Sequence, residues 1–263
     1  MSLTPCRGYK SESVRFRSIK TQLIIFLGLF ALFLTISEND WVFLLRLSLA
    51  AGAAAAIETL IVFLKRREFI ITESSVITGL ILGYVLSSDN PWWVAAFASS
   101  VAICSKHFIR ISQRHIFNPA AFGIFAAILL FGANTQWHGT YLWYIIVPAG
   151  LYFSYRIRRI ELLVGYFLAA LVLFSAQALM QKEPLGNIFG YFSYFFIFVM
   201  LVEPKTTPFK PACKIIFGIG VAVMIFFLTE AGARFDTELA ALLAGNLFFA
   251  VSGKYPVKKE VQA

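Results

Sequence analysis

The lysines and arginines of this chain fall in alternate gaps between its apolar segments, the pattern of a polypeptide threaded repeatedly through a bilayer. Ten such segments run over 19–36, 41–64, 75–87, 91–105, 116–132, 139–154, 159–180, 187–203, 213–229 and 236–252. Of the 23 basic residues, Arg7, Lys10, Arg15, Arg17 and Lys20 precede the first segment. Lys65, Arg66 and Arg67 follow the second, and Lys106, Arg110 and Arg114 the fourth. Arg156, Arg158 and Arg159 follow the sixth, Lys205, Lys210 and Lys214 the eighth, and Lys254, Lys258 and Lys259 the last. The opposite gaps hold only Lys182 and Arg234, and Arg46 lies within a segment, from where its long side chain reaches the outer interface near Trp41. Positive loops are retained in the cytoplasm, so the basic side is internal. The expected fold is an all-α integral membrane protein with about ten transmembrane helices and both termini cytoplasmic.

The tryptophans agree. Trp41, Trp92, Trp93, Trp137 and Trp143 all fall in or beside the gaps assigned to the outside. Indole favours the interface because its ring is apolar and its N–H needs a wet partner. With 59% hydrophobic residues, the chain lies outside the range of soluble domains. Its net charge of +9 is spread over short cytoplasmic loops, which points to topology and anionic membrane lipids and not to nucleic acid. Residues 1–18 and 253–263 read as basic cytoplasmic tails flanking one membrane domain, 19–252, with little length left for any extramembrane domain. No small-x-small cleavage site follows the first segment, so it reads as a retained helix. Cys6, Cys104 and Cys213 form neither a disulfide framework nor a CxxC metal site.

Ten segments divide into five and five, and an odd half enters the membrane from the opposite side. That arrangement is an inverted repeat, which places sites at the interface between halves. Asp89-Asn90-Pro91-Trp92 after the third segment and Glu203-Pro204-Lys205-Thr206 after the eighth form a faint internal echo, as do Asn118 and Asn246. Two helices look short. If Asn118 caps the fifth and Pro119 takes its first position, the helix to Phe131 is about 20 Å long. A helix starting inside the membrane aims free N–H groups and partial positive charge into the protein. The simpler reading, which we favour from sequence, is that Ile116 and Phe117 complete the span and Asn118 satisfies a neighbouring helix.

Glu58 lies deep in the second segment. A carboxyl group there must be paired, protonated or wet, which makes it the candidate for an ion or proton pathway; a hydrogen-bonded structural residue is the plain alternative. His107 and His115 flank one cytoplasmic loop and His138 is outside, a poor arrangement for haem ligation. The chain carries no dinucleotide fingerprint, phosphate loop or nucleophile with a partner set.

Three stretches together resemble the RnfD-type membrane subunit of the Rnf electron-transport complex and its counterpart in the sodium-pumping NADH:quinone reductase. They are Ser75-Val76-Ile77-Thr78-Gly79-Leu80-Ile81-Leu82-Gly83 followed by Asn90-Pro91-Trp92-Trp93; Lys106 with His115-Ile116-Phe117-Asn118-Pro119-Ala120-Ala121; and Val202-Glu203-Pro204-Lys205-Thr206-Thr207-Pro208. The resemblance implies a ten-helix inverted-repeat bundle that binds flavin and passes electrons, coupled to sodium or proton movement, alongside other subunits of a complex in the bacterial inner membrane. It implies Thr78, Gly79, Asn118, Pro119, Glu203, Lys205 and Thr206 near a cofactor or ion site, with Lys205 offering charge to a phosphate or a reduced flavin. Family members carry covalent FMN on the last threonine of a Ser/Thr-Gly-Ala-Thr motif after the fifth helix. Here that gap reads Gly132-Ala133-Asn134-Thr135-Gln136-Trp137-His138-Gly139-Thr140, without the motif. A second departure is Ile109-Arg110-Ile111-Ser112-Gln113, where relatives have a glycine-rich turn. The expected cofactor is therefore FMN or riboflavin held non-covalently. A small-solute or vitamin transporter built on the same bundle, or a scaffold that anchors flavoproteins, accounts for the same features without a redox group.

Overall fold

The computed structural model describes residues 18–111 and 114–252; most of both basic tails, Cys6, and Ser112 and Gln113 of the loop after the fourth segment lie outside the described residues. Helices form where apolar runs were expected: α1 (Ile19–Glu38), α2 (Trp41–Arg66), α3 (Glu73–Val85), α4 (Trp92–Phe108) and α5 (Pro119–Phe131). After these come α6 (Trp143–Arg156), α7 (Ile160–Gln181), α8 (Pro211–Glu230) and α9 (Thr237–Val251). A two-residue hairpin, β1 (Arg110–Ile111) and β2 (Arg114–His115), joins α4 to α5. Among the described residues, α1, α2, α7 and α8 are long and apolar enough to cross a membrane, while α3, α5 and α9 are shorter apolar helices.

Two expectations change. The eighth segment, read as one helix over 187–203, is a 3-10 turn at Leu185–Tyr191 followed by a short helical stretch with π-type bonding at Phe196–Met200. Pro184, Gly186 and Gly190 punctuate the apolar run, and Ser193 Oγ accepts from the Phe196 N–H at 3.4 Å, starting the helix afresh. The fifth helix does not begin at Ile116. Asn118 Oδ1 accepts from the Ala121 N–H at 3.0 Å with Pro119 in the first turn, so the short form is the one adopted. Asn118 also bonds a neighbouring helix, because its own N–H donates to Asn246 Oδ1 of α9 at 2.9 Å.

Hydrophobic burial drives little association between helices inside lipid, so close backbone packing must contribute. At the α7–α8 crossing a Cβ on Gly165 would stand 2.3 Å from the Ile215 carbonyl oxygen, and one on Gly218 would stand 2.2 Å from that of Leu162. Near the centre, buried Tyr84 stacks on Phe195 (centroids 4.9 Å apart) and donates its hydroxyl to the Leu27 carbonyl at 2.6 Å. Three of the residues read as cytoplasmic anchors are buried and bonded: Lys106, Arg159 and Lys214. Lys214 Nζ, for example, donates to the Arg158 carbonyl at 2.6 Å and to Glu161 Oε2 at 3.1 Å.

On the other side, the loop between α5 and α6 folds over the ends of α2 and α3. Asn134 and Asn90 exchange backbone and side-chain hydrogen bonds at 2.9 and 2.8 Å. Asp236 caps α9 and accepts from Thr135 Oγ1 and Trp137 Nε1, both at 2.9 Å. His138 is buried, packed on Phe43 with ring centroids 4.3 Å apart, and its Nε2 meets no partner among the described residues. Burial holds its pKa below the ordinary histidine value, against the opposing pull of Glu38 and Asp40. A histidine pKa depressed by folding contributes stability above the unfolded value and loses it as pH falls. The melting temperature in detergent is therefore expected to drop as pH is lowered from about 6.5, and His138→Phe should flatten that drop. An equal decline in both proteins would remove His138 as the cause.

Candidate cofactor cavity

Five elements converge on a cavity of about 140 Å3 at the basic end of the bundle: α1, α3, α5, α6 and the segment that closes with Glu203-Pro204-Lys205. Its walls are apolar, with Leu23, Ile77, Ile81, Phe153, Phe198 and Val202 prominent, and its polar groups come from Lys20, Ser74, Thr78, Asn118, Glu203 and Lys205. Of the residues singled out from sequence, Thr78, Asn118, Pro119, Glu203 and Lys205 line this one space. Gly79 and Thr206 do not. A Cβ on Gly79 would fall 2.4 Å from the Ala51 Cα, so that glycine lets α3 lie directly on α2. Thr206 is fully buried behind the wall, its carbonyl accepting from Asn246 Nδ2 at 3.2 Å.

The α5 end is built with its donors mostly spent. Asn118 uses its own N–H on Asn246, its Nδ2 on the Met200 carbonyl at 3.2 Å, and its Oδ1 on Ala121. Ala120 lines the cavity and is buried, and among the described residues its N–H is the first-turn donor left over. Thr78 is also occupied, since its hydroxyl donates back to the Ser74 carbonyl at 2.8 Å. The polarity of the site that is open to a ligand thus includes a helix N–H at one end and two lysines at the other.

The 203–208 loop is held by contacts that sequence reading did not anticipate. Buried Arg159 donates through Nη2 to the Pro204 carbonyl at 2.8 Å and through Nη1 to that of Pro208. His115 Nε2 lies 3.3 Å from Glu203 Oε1, and Thr206 Oγ1 lies 3.4 Å from Glu203 Oε2. Lys205 is exposed beside the cavity mouth. Partial withdrawal of its amine from water, then the positive charges of Lys20 and Lys106, press its pKa below the usual lysine value, against the pull of Glu203 and Glu58. An anionic group placed there would relieve that repulsion.

Glu58 stands apart from the cavity lining. It is buried, with Lys106 Nζ 3.0 Å from Oε1 and His107 Nε2 3.0 Å from Oε2. The sequence signal for these partners was only the requirement that a buried carboxylate be paired; nothing in it named residues on α4. On the opposite side, Thr135 is engaged with Asp236, whereas the buried Thr140 hydroxyl oxygen has no hydrogen-bond partner among the described residues.

The family model described as NQR2, RnfD, RnfE matches residues 8–143, which includes Glu58, the α3 stretch and the Asn118-Pro119 cap. The chain belongs to the NQR2, RnfD, RnfE family. It is accordingly a multi-pass membrane protein of a family whose members serve in multisubunit Rnf- and NQR-type complexes. No curated protein matches the chain. The Glu203–Pro208 stretch lies beyond the matched residues, yet it closes the same cavity that the matched half opens.

Proposed function

We propose that this family member is an electron-transferring membrane subunit of an Rnf-type complex, with FMN or riboflavin held non-covalently in the cavity between α3, α5 and the 203–208 loop. In this reading ten membrane passes form a five-plus-five inverted repeat in the bacterial inner membrane, with both termini cytoplasmic. Electron flow is coupled to ion translocation, with Glu58 as the intramembrane carboxylate on that pathway. The observation that carries the proposal is that Thr78, Asn118, Pro119, Glu203 and Lys205, drawn from distant parts of the chain, border one cavity.

The lining residues suit one edge of a flavin: about 140 Å3 of space is less than a whole ring system needs, so the rest of the cofactor would extend through the mouth beside Lys205. Apolar walls at Ile77, Ile81, Phe153 and Phe198 match an aromatic ring system. The spare Ala120 N–H, reinforced by the helix dipole, matches a ring oxygen. Lys20 and Lys205 match a phosphate or the negative charge of a reduced ring. A bound flavin supplies the electron-transfer chemistry, and the protein sets its position, electrostatics and access to water. The lysines hold charge at the mouth, while the apolar walls orient the ring system.

The test is the visible absorbance and flavin content of protein purified with its partner subunits and a flavin supply, before and after acid precipitation. Flavin released by acid is the expected result. Asn118→Ala and Lys205→Ala should each lower retention by about tenfold, the effect of losing roughly 1.4 kcal/mol, while membrane insertion persists. Unchanged retention in both variants would remove this cavity as the site. Flavin remaining on the pellet would show covalent attachment, and a colourless, folded protein would favour the transporter or scaffold.

A further inference from the structure

A second concavity lies on the membrane-facing side of α2, away from the cofactor cavity. It is a groove of about 450 Å3 bordered by Gly52, Ala56, Leu60, Phe63, Phe69 and Ile71. The loop after α2 folds back to make one wall, tied by the Thr59 hydroxyl, which donates to the Ile70 carbonyl at 3.4 Å, and by Phe63 stacked on Phe69 with centroids 4.4 Å apart. Phe69 and Ile71 are 79% and 70% exposed, so the apolar wall they form is left open for an occupant to cover.

The basic end of this groove is charged. Residues 52, 56, 59 and 63 share a helical face, and the next turn on that face brings Arg66 and Arg67. The Arg67 guanidinium lies 5.7 Å from the Phe63 ring centroid, which places a cation directly beyond the aromatic end of the groove. Lys65 adds a third charge, held over Phe108 at 5.8 Å. Glu68 follows them in sequence, but among the described residues no carboxylate comes within ion-pair distance of Lys65, Arg66 or Arg67.

We propose that this groove is a binding site for one anionic phospholipid, its acyl chain lying along Gly52–Phe63 and its phosphate meeting Arg66 and Arg67. Length and charge both favour a lipid. The eleven residue-to-residue steps from Gly52 to Phe63 extend about 16 Å along the axis, close to the ~15 Å hydrocarbon depth of one leaflet. An acyl chain fills an apolar slot of that length, and a phosphate satisfies the cations that no protein carboxylate neutralises.

The experiment is retention of lipid by the purified protein under native mass spectrometry, after reconstitution in nanodiscs of phosphatidylethanolamine with phosphatidylglycerol. Two variants interrogate the two halves of the site. Arg66→Gln with Arg67→Gln removes the charge and should reduce phosphatidylglycerol retention by about tenfold. Gly52→Leu fills the groove; a Cβ there meets nothing within 4 Å, so the helix accepts it without a clash. That variant should also lose retention while keeping the wild-type melting temperature. Equal retention of both lipids, or retention unaffected by either variant, overturns the proposal. A Gly52→Leu protein that keeps its lipid but no longer copurifies with a partner subunit overturns it in favour of a docked transmembrane helix.

Discussion

Replacing Glu58 by alanine is expected to destabilise the protein by about 3–5 kcal/mol, the cost of leaving a buried charge without its counter-ion. Glu58 is 3% exposed and Lys106 8%, so neither charge can be rehydrated in place. The carboxylate joins α2 to α4 through two contacts of 3.0 Å, one to Lys106 and one to His107. The cost arises from the orphaned ammonium group more than from the lost attraction, and this makes a specific second prediction. Glu58→Leu combined with Lys106→Met, which removes both charges, should recover most of the loss, since a well-packed apolar pair often equals a buried ion pair. The measurement is the melting temperature of each protein in the same detergent. A single variant as stable as wild type, or a double variant no better than the single, would refute this account.

The second large effect concerns Arg159. Its guanidinium spans the carbonyls of Pro204 and Pro208 and so fixes the segment that carries Lys205. The Phe209 ring packs near two guanidinium groups, 3.8 Å from that of Arg114 and 5.6 Å from that of Arg159. Hydrogen bonds to a charged donor contribute about 1.5–3 kcal/mol each, so Arg159→Met should cost roughly 3–5 kcal/mol. It should also expose the loop to trypsin at Lys205, whereas Lys210 is protected in either state by the proline that follows it. Arg159→Lys should not rescue the loop, because a single ammonium group cannot reproduce the planar fork that reaches both carbonyls. Tryptic cleavage no faster than in wild type would show that the loop holds itself.

Much of the fold could be read from hydropathy, because a helix in lipid must be continuous and apolar and its ends must be polar. The Asn118-Pro119 cap was also written in the sequence, although weighing span length against cap chemistry pointed the wrong way. The decisive fact was the Asn246 amide waiting on α9, which length cannot reveal. The break in the eighth segment was masked by its own composition: Phe192, Phe195, Phe196 and Phe198 read as a span whether or not the backbone runs straight. For the cavity, the individual residues were legible, but their convergence was not, since Thr78, Asn118 and Glu203 come from three separate stretches. A charge count also treats every cation alike. It could not separate Lys65, which stays exposed at the surface, from Lys106 or Arg159, which turn into the protein and bind.

The shortness of α5 has an electrical consequence. Its thirteen residues extend about 20 Å, where an ordinary span insulates about 30 Å. The cavity reaches its first turn, so polar groups penetrate the dielectric from one face and leave a thinned septum beyond. A membrane voltage falling across that septum produces a local gradient about half again as steep as in the surrounding lipid. Crossing the full potential still represents about 2.3 kcal/mol per elementary charge per 100 mV, but here the voltage drop is concentrated over fewer ångströms. Protein shape thus acts as a lens for the field, and a carrier seated in the cavity stands at its edge.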